Sequence, residues 1–199
     1  PKALDLSGFL TANFLNSEGK ILSITKCEIT ENNIFFEINN LKNIKLWDID
    51  NPSLYELDIS VETPHGIDNI NERFGFRSAE FNKNGFMLNG NSLKIRGLNR
   101  HQSYPYVGYA LGKSAQHKDA EILKFDLRVN LVRTSHYPQS KHFLNRCDEI
   151  GLLVFEEIAG WQHIGGKNWQ NNSIENVRNM IQRDWNHPSI ILWGVRINE

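Results

Sequence analysis

Asn186-His187-Pro188-Ser189-Ile190-Ile191-Leu192-Trp193-Gly194-Val195-Arg196-Ile197-Asn198-Glu199 closes the chain, and the fold is decided by how this stretch is read. Asn186, His187 and Pro188 form a turn, and the apolar run Ile190–Trp193 after it reads as a buried strand. Just past that run comes the pair Asn198-Glu199. In a parallel barrel all strands deliver their C-terminal ends to one face, where catalytic groups gather. A glutamate past a strand is otherwise an ordinary solvated loop residue. The weight therefore falls on whether the strands upstream end in the same way.

From Phe81 onward the chain alternates strand and helix patterns, the mark of βαβ units. Asn84-Gly85 and Asn89-Gly90 signal hairpin turns in a short ribbon, Phe86–Leu88 with Ser92-Leu93, expected to plug the barrel floor. The first barrel strand is expected over Leu93–Leu98, ending in Asn99-Arg100-His101-Gln102. A loop rich in Tyr and Gly follows, Ser103 to Gly112, then a helix from about Ser114 with Leu123 and Leu127 on its core face and Ser114 as its cap. The second strand, Leu131–Thr134, runs into Ser135-His136-Tyr137-Pro138. A helix from about Ser140 buries Phe143, Leu144, Cys147 and Ile150 and ends at Gly151. The third strand, Leu152–Phe155, ends in Glu156-Glu157, and a Gly- and Trp-rich loop leads to a helix from about Ser173 carrying Ile174, Val177, Ile181 and Trp185. Each strand thus ends in polar or charged residues. Two Glu, two Arg and two His at one mouth are costly to desolvate unless they are paired or used.

Residues 1–79 read differently. Leu57, Ile59 and Val61 alternate with Glu56, Asp58 and Ser60, the period of a half-buried strand. Ile21–Ile24 and Asn33–Ile38 are two further strand candidates, and turn clusters at 16–19, 31–33, 50–52 and 64–66 separate the segments. Short strands spaced by turns predict a β-sandwich, here without any cluster of titratable groups.

Composition narrows the function classes. A 199-residue chain accommodates one large or two small domains, and its net charge of −1 gives no electrostatic case for nucleic acid or an acidic membrane. No apolar run approaches the roughly 20 residues of a membrane span. Cys27 and Cys147 offer neither a disulfide framework nor metal spacing and read as two buried thiols. Nothing in the sequence assigns a compartment.

Several segments carry a family resemblance. Asn-His-Pro-Ser-Ile-Ile-Leu-Trp followed by Asn198-Glu199 resembles the acid/base signature of glycoside hydrolase family 2, which holds β-galactosidases, β-glucuronidases and β-mannosidases. The spacer before Asn-Glu is one residue longer here than in many members. Gly97–Gln102 resembles the family's Gly-Val-Asn-Arg-His segment, and Arg133–Pro138 its Arg-x-Ser-His-Tyr-Pro segment. Trp47–Tyr55 resembles a Trp...Pro-x-Leu-Tyr stretch in the family's immunoglobulin-like domain, Phe74–Arg77 resembles the Gly-Phe-Arg crossing from sandwich to barrel, and Gly75 is expected to permit a tight bend. The resemblance implies an immunoglobulin-like β-sandwich over 1–79 and the N-terminal half of a TIM (β/α)8 barrel over 80–199.

It also implies roles. Glu199 would be the general acid/base, and Asn198 would hold the sugar hydroxyl beside the reacting carbon. His101 and His136 would bind sugar hydroxyls, and Arg133 would lie beneath the sugar and hold carboxylates in place. Glu156-Glu157 would be a structural and binding pair near Arg133. Trp161 reads equally as a sugar platform or a packed loop anchor. Magnesium, bound by some family members through an acidic residue and a His in this loop, would meet His163, but Trp161 stands at the acidic position; no cofactor is expected from the chain itself. The implied activity is retaining β-glycoside hydrolysis, β-galactosidase first. The alternatives are β-glucuronidase, β-mannosidase or a non-catalytic sugar-binding fragment. The expected partner is a carbohydrate, with a homo-oligomer possible for the full-length enzyme. The nucleophile and the remaining barrel strands are expected beyond Glu199, so this piece is expected to be inactive alone.

Overall fold

The computed structural model describes residues 7–31, 33–160 and 162–195. Strands β1 (Phe9–Asn16), β2 (Ile21–Glu28), β3 (Tyr55–Thr63) and β4 (Gly66–Phe74) form an antiparallel sheet in the order β2-β1-β3-β4. On β1, Leu10, Ala12 and Phe14 are buried, as the two-residue strand period requires. Phe14 stacks on Tyr55 and Phe74 with centroids 5.2 and 5.9 Å away, and Phe76 closes the cluster edge-on. The expected Asn33–Ile38 strand is not one. Ile34, Phe36 and Ile38 are half-buried, but the segment has no ladder partner among the described residues and Phe35 is 95% exposed. Hydrophobic period reports which side chains face inward; it carries no information about a neighbouring backbone. The sandwich part is thus represented, among the described residues, by one hydrogen-bonded layer and this extended stretch.

A ribbon of β5 (Ala79–Asn82), β6 (Gly85–Leu88) and β7 (Asn91–Ser92) follows, with its turns where Asn-Gly pairs predict them. Strands β8 (Gly97–Arg100), β9 (Leu131–Thr134), β10 (Leu153–Glu157) and β11 (Ile190–Gly194) then form a parallel sheet in chain order. The helices between them are α1 (Lys113–Glu121), continued by a π-helical segment over Ile122–Asp126, α2 (Lys141–Ile150) and α3 (Lys167–Asp184). This is successive βα units of a barrel wall. The first strand begins later than expected, because Leu93 and Ile95 pack into the floor core with Trp47, Phe86, Leu88, Leu131 and Leu153.

The helices correct three expectations. The cap position of α1 is Gly112, with no side-chain cap, rather than Ser114. Leu127 is exposed although Leu123 is buried, because the π-type bond from Leu127 N–H to Ile122 O widens the turn and rotates Leu127 off the core face. Helix α3 starts at Lys167, well before Ser173, and its fully buried residues are Met180 and Asp184; Ile174 and Trp185 are exposed. Helix α2 matches its reading. Ser140 Oγ accepts from His142 N–H, Phe143, Leu144, Cys147 and Ile150 are buried, and Gly151 ends the helix at φ +71°. Cys147 is a free thiol whose pKa burial raises well above normal, and Cys27 is half-buried.

The antiparallel part is pinned to the barrel wall through a few contacts. Trp47 is buried; its backbone N–H donates to Phe76 O and its indole N–H donates to Asp148 O at 2.8 Å. A Cβ on Gly75 would lie 2.9 Å from Pro188 and 3.1 Å from the Trp47 side chain, so close approach, rather than the expected bend, explains that glycine. Arg77 donates to the carbonyls of Pro188 and Ile190. Asp148, at the end of α2, accepts from Ser189 N–H and Oγ–H on one oxygen and contacts His187 Nδ1 on the other. Asn186 donates to Glu72 at 2.8 Å. All four residues of the Asn-His-Pro-Ser segment therefore serve to seat β11.

Behind β10 lies a buried acidic pair. Glu156 points away from the barrel interior towards α3, where Arg183 donates to it at 3.2 Å and also to Asp184. Among the described residues Glu156 Oε2 and Asp184 Oδ1 have no hydrogen-bond partner. Burial first, and then the Asp184 charge, push the Glu156 carboxyl up to about 8, against the opposing pull of Arg183. The folded chain therefore keeps a proton that an unfolded carboxyl releases near its ordinary value of 4.5.

Two measurements check this framework. Gly151→Ala puts a Cβ about 2.2 Å from Ile49 O at a left-handed φ, and should lower stability by about 2–4 kcal/mol, read as a fall in Tm. The contribution of Glu156 is fully present below pH 4.5 and is lost as pH rises towards about 8. Glu156→Gln keeps the shape and hydrogen of the protonated carboxyl. It should shrink the loss of Tm between pH 6 and pH 9 by roughly 2–4 °C; an identical pH dependence in both proteins would refute the raised Glu156 carboxyl.

Candidate active site

The mouth of the parallel sheet is built by strand alternation. In register, Asn99 faces Arg133 and Arg133 faces Phe155, while Phe155 faces Leu192 and Glu157 faces Gly194. These residues share the inner face. Val132, Val154 and Ile190 point the other way, into the core with α2. The same period separates the polar strand ends, so they do not all converge on the mouth as the sequence reading has it. Arg100 is buried on the outer face, where it donates to Asp119, Gln116 and Gln139 and lies 4.0 Å over the Phe143 ring. Glu156 is likewise outward. Of the two Arg and two Glu, one of each reaches the inner side: Arg133 and Glu157.

Arg133 grips Glu157 with Nε at 3.1 Å and a terminal nitrogen at 3.0 Å, both on Oε2. His136 Nδ1 lies 2.9 Å from Glu157 Oε1. The Glu157 side chain is only 3% exposed, so this pairing replaces the water it has lost. A carboxylate accepts only, so Nδ1 carries the hydrogen of this contact. The 3.3 Å approach of Arg133 to the same Nδ1 then sets donor beside donor and adds no hydrogen bond. Glu157 N–H donates to Thr134 Oγ1 at 3.2 Å, and the Ser135–His136 peptide bond is cis.

His101, exposed at the end of β8, meets the His136 ring edge-on at 5.4 Å. Gln102 behind it donates its N–H to the Tyr137 hydroxyl at 2.9 Å and accepts from Ser140 N–H at 2.7 Å. Burial raises the Tyr137 phenol above its usual pKa, the Gln102 bond opposes this, and the Tyr109 phenol adds to it. Sequence reasoning assigned no role to Gln102, Phe155 or Gly194. A Cβ on Gly194 would lie 2.7 Å from Glu157 Cβ and 2.8 Å from the Phe155 ring. A glycine after an apolar strand is the one trace of that crowding in the sequence.

The structure therefore brings Arg133, His136 and His101 together, with Glu157 as the organising carboxylate. Asn198, Glu199 and Trp161 lie outside the described residues. Among the described residues no three His, Cys, Asp or Glu side chains form a group that could hold a metal. The loop between Glu157 and Lys167 contains no Asp or Glu, and His163 packs on Trp169 at 5.7 Å. Magnesium takes hard oxygen donors, so this loop does not fit a magnesium site. No helix among the described residues is long and apolar enough to cross a membrane.

Comparison with known proteins agrees with this architecture. The β-galactosidase of Thermoanaerobacterium thermosulfurigenes is 65% identical over 164 residues, which cover 82% of this chain and 23% of that protein. The β-galactosidase of Thermoanaerobacter pseudethanolicus is 50% identical over 97% of this chain and 26% of its own length. Among solved structures, a β-glucuronidase from Parabacteroides merdae superposes with a TM-score of 0.88 at 33% identity, covering 94% of this chain and 24% of that one. The chain thus spans about a quarter of the length of these relatives. Residues 10–77 match the model for glycosyl hydrolases family 2, and residues 79–199 match the model for the TIM barrel domain of glycosyl hydrolases family 2. The chain, an antiparallel β-sheet part leading into the first strands of a TIM barrel, belongs to glycosyl hydrolase family 2.

Proposed function

We propose that the complete protein is a retaining β-galactosidase, with residues 1–79 as the immunoglobulin-like domain and residues 80–199 as the first half of the catalytic barrel. The observation that carries this reading is the inner-face constellation of Arg133, Glu157 and His136, on a chain 65% identical to a β-galactosidase over 164 residues. Retaining glycosidases use two carboxyl groups about 5–5.5 Å apart, one donating a proton to the leaving oxygen and one attacking the anomeric carbon. Glu199 is the proposed acid/base, and the attacking carboxylate comes from a later strand. Asn198 holds the hydroxyl next to the reacting carbon.

The described residues supply binding and orientation. Glu157 fixes the His136 ring so that Nε2 accepts from a sugar hydroxyl. His101, packed on that ring, reaches a second hydroxyl from the adjacent strand. Arg133 holds Glu157 in place through two hydrogen bonds, which makes it a positioning residue. The charge balance also favours a neutral sugar. Both strong bonds of Arg133 go to Glu157, so this cation is already matched and offers little to a substrate carboxylate. β-Glucuronidase remains the second reading, supported by solved relatives such as the Parabacteroides merdae enzyme. A carbohydrate is the proposed partner in either case.

The test is hydrolysis of nitrophenyl β-galactoside by the complete protein, beside the glucuronide and mannoside. Galactoside should be the preferred substrate. Glu199→Gln should lower kcat/KM by about 10²–10⁴-fold, and azide should partly restore turnover of the activated substrate by replacing the water that the acid/base assists. Preference for the glucuronide would move the assignment to the second reading. Sugar binding without hydrolysis of any of the three would leave a binding protein on a glycosidase fold.

A further inference from the structure

The loop after β8 carries an aromatic surface that the hydrolytic reading does not use. Tyr104, Tyr106 and Tyr109 are all more than half exposed, and Val107 lies among them. Exposed tyrosines on a slack loop would mean little, but this loop is braced. Tyr104 and Gly108 exchange both backbone hydrogen bonds, at 3.0 and 2.9 Å, and Ala110 N–H donates to Val107 O at 3.0 Å. Tyr106 is held at φ +72°, a left-handed conformation unfavourable for a bulky residue, with its side chain wholly in solvent.

The loop is also continuous with the mouth. Tyr109 meets the Tyr137 ring edge-on at 5.4 Å. Tyr137 in turn lies 6.3 Å from His101, and His101 lies 5.4 Å from His136. An unbroken series of rings therefore runs from the histidine that Glu157 orients to a tyrosine that the described residues leave exposed. Its inner end is built to hold hydroxyls, and its outer end offers aromatic surface at small conformational cost, since tyrosine has few rotatable bonds to fix.

We propose that Tyr109, with Tyr106 beside it, is the leaving-group platform of the site, stacking on a six-membered ring, sugar or aryl, attached to the far side of the scissile bond. This rests on the glycosidase reading above and adds the determinant of which aglycones are preferred. The surface takes a ring because a flat apolar face can lie against a tyrosine, whereas a small alkyl group covers too little of it.

The experiment compares kcat/KM of the complete protein and its Tyr109→Ala, Tyr106→Ala and Tyr109→Phe variants on three galactosides. One releases nitrophenol, one is a β-linked disaccharide that releases a second hexose, and one is methyl β-galactoside, which has the same glycone and no ring beyond the bond. Removing Tyr109 should lower kcat/KM on the ring-bearing substrates by about 5–10-fold, leave methyl galactoside within about 2-fold, and be largely rescued by Phe. A loss confined to the nitrophenyl substrate assigns the platform to aryl groups, and one confined to the disaccharide assigns it to sugars. Equal loss on all three, or no loss on any, overturns the platform while leaving the glycosidase reading intact. So does a change in solution mass, which would make the loop a contact between copies of this chain. If the unsubstituted protein hydrolyses none of the three, the glycosidase reading fails and the platform falls with it.

Discussion

The carboxylate of Asp148 stands where three parts of the chain must meet. It lies near the end of α2, two residues before the last helical position, and takes Ser189 and His187 from the turn that starts β11. Its own backbone carbonyl receives the indole hydrogen of Trp47 from the crossing segment. Asp148 is 1% exposed, so each of these bonds forms where water cannot substitute for it. A shift there would move β11 relative to β10, and the inner face depends on that register. Gly194 meets Glu157 only in the observed pairing.

Strand alternation then divides the charged groups into two populations with different physics. Those facing inward, Arg133 and Glu157, are paired with each other and hold a histidine by its Nδ1. Those facing outward, Arg100 and Glu156, are closed off by helices. Arg100 is satisfied by one carboxylate and two amides, while Glu156 and Asp184 share Arg183, and burial holds the Glu156 carboxyl up at about 8. The outward set holds the helices at a fixed distance behind the strands. The inward set can therefore be held rigidly without relying on loop packing, which is what preorganised binding requires.

The barrel units were legible in the sequence because their signals are local. Ser140 and Gly151 bracket α2 as caps, and an apolar stripe on that helix meets apolar strands on either side. The mouth was half legible. Arg133 and His136 lie on one strand end and are found together, but the period that turns Arg100 and Glu156 outward depends on where each strand starts, and β8 starts later than its apolar run. The Asn33–Ile38 stretch misled for a related reason, since a backbone with no ladder among the described residues has the same side-chain rhythm as a paired one. The Asn-His-Pro-Ser segment was read as part of a catalytic signature. In the fold its four residues are joinery, and they touch Glu72, Asp148, Gly75 and Arg77 rather than the mouth.

The two thiols are placed so differently that the protein carries a pair of internal reporters. Cys27 sits half-open on β2, an edge strand of the antiparallel sheet, whereas Cys147 lies at zero exposure on the buried face of α2 with its ionisation suppressed. Alkylation needs a thiolate that the reagent can reach. Modification of Cys27 therefore follows fluctuations of the sheet edge, and modification of Cys147 waits for the helix layer to lift from the barrel wall. With no added label, a single time course on the native protein separates the opening of one part from that of the other.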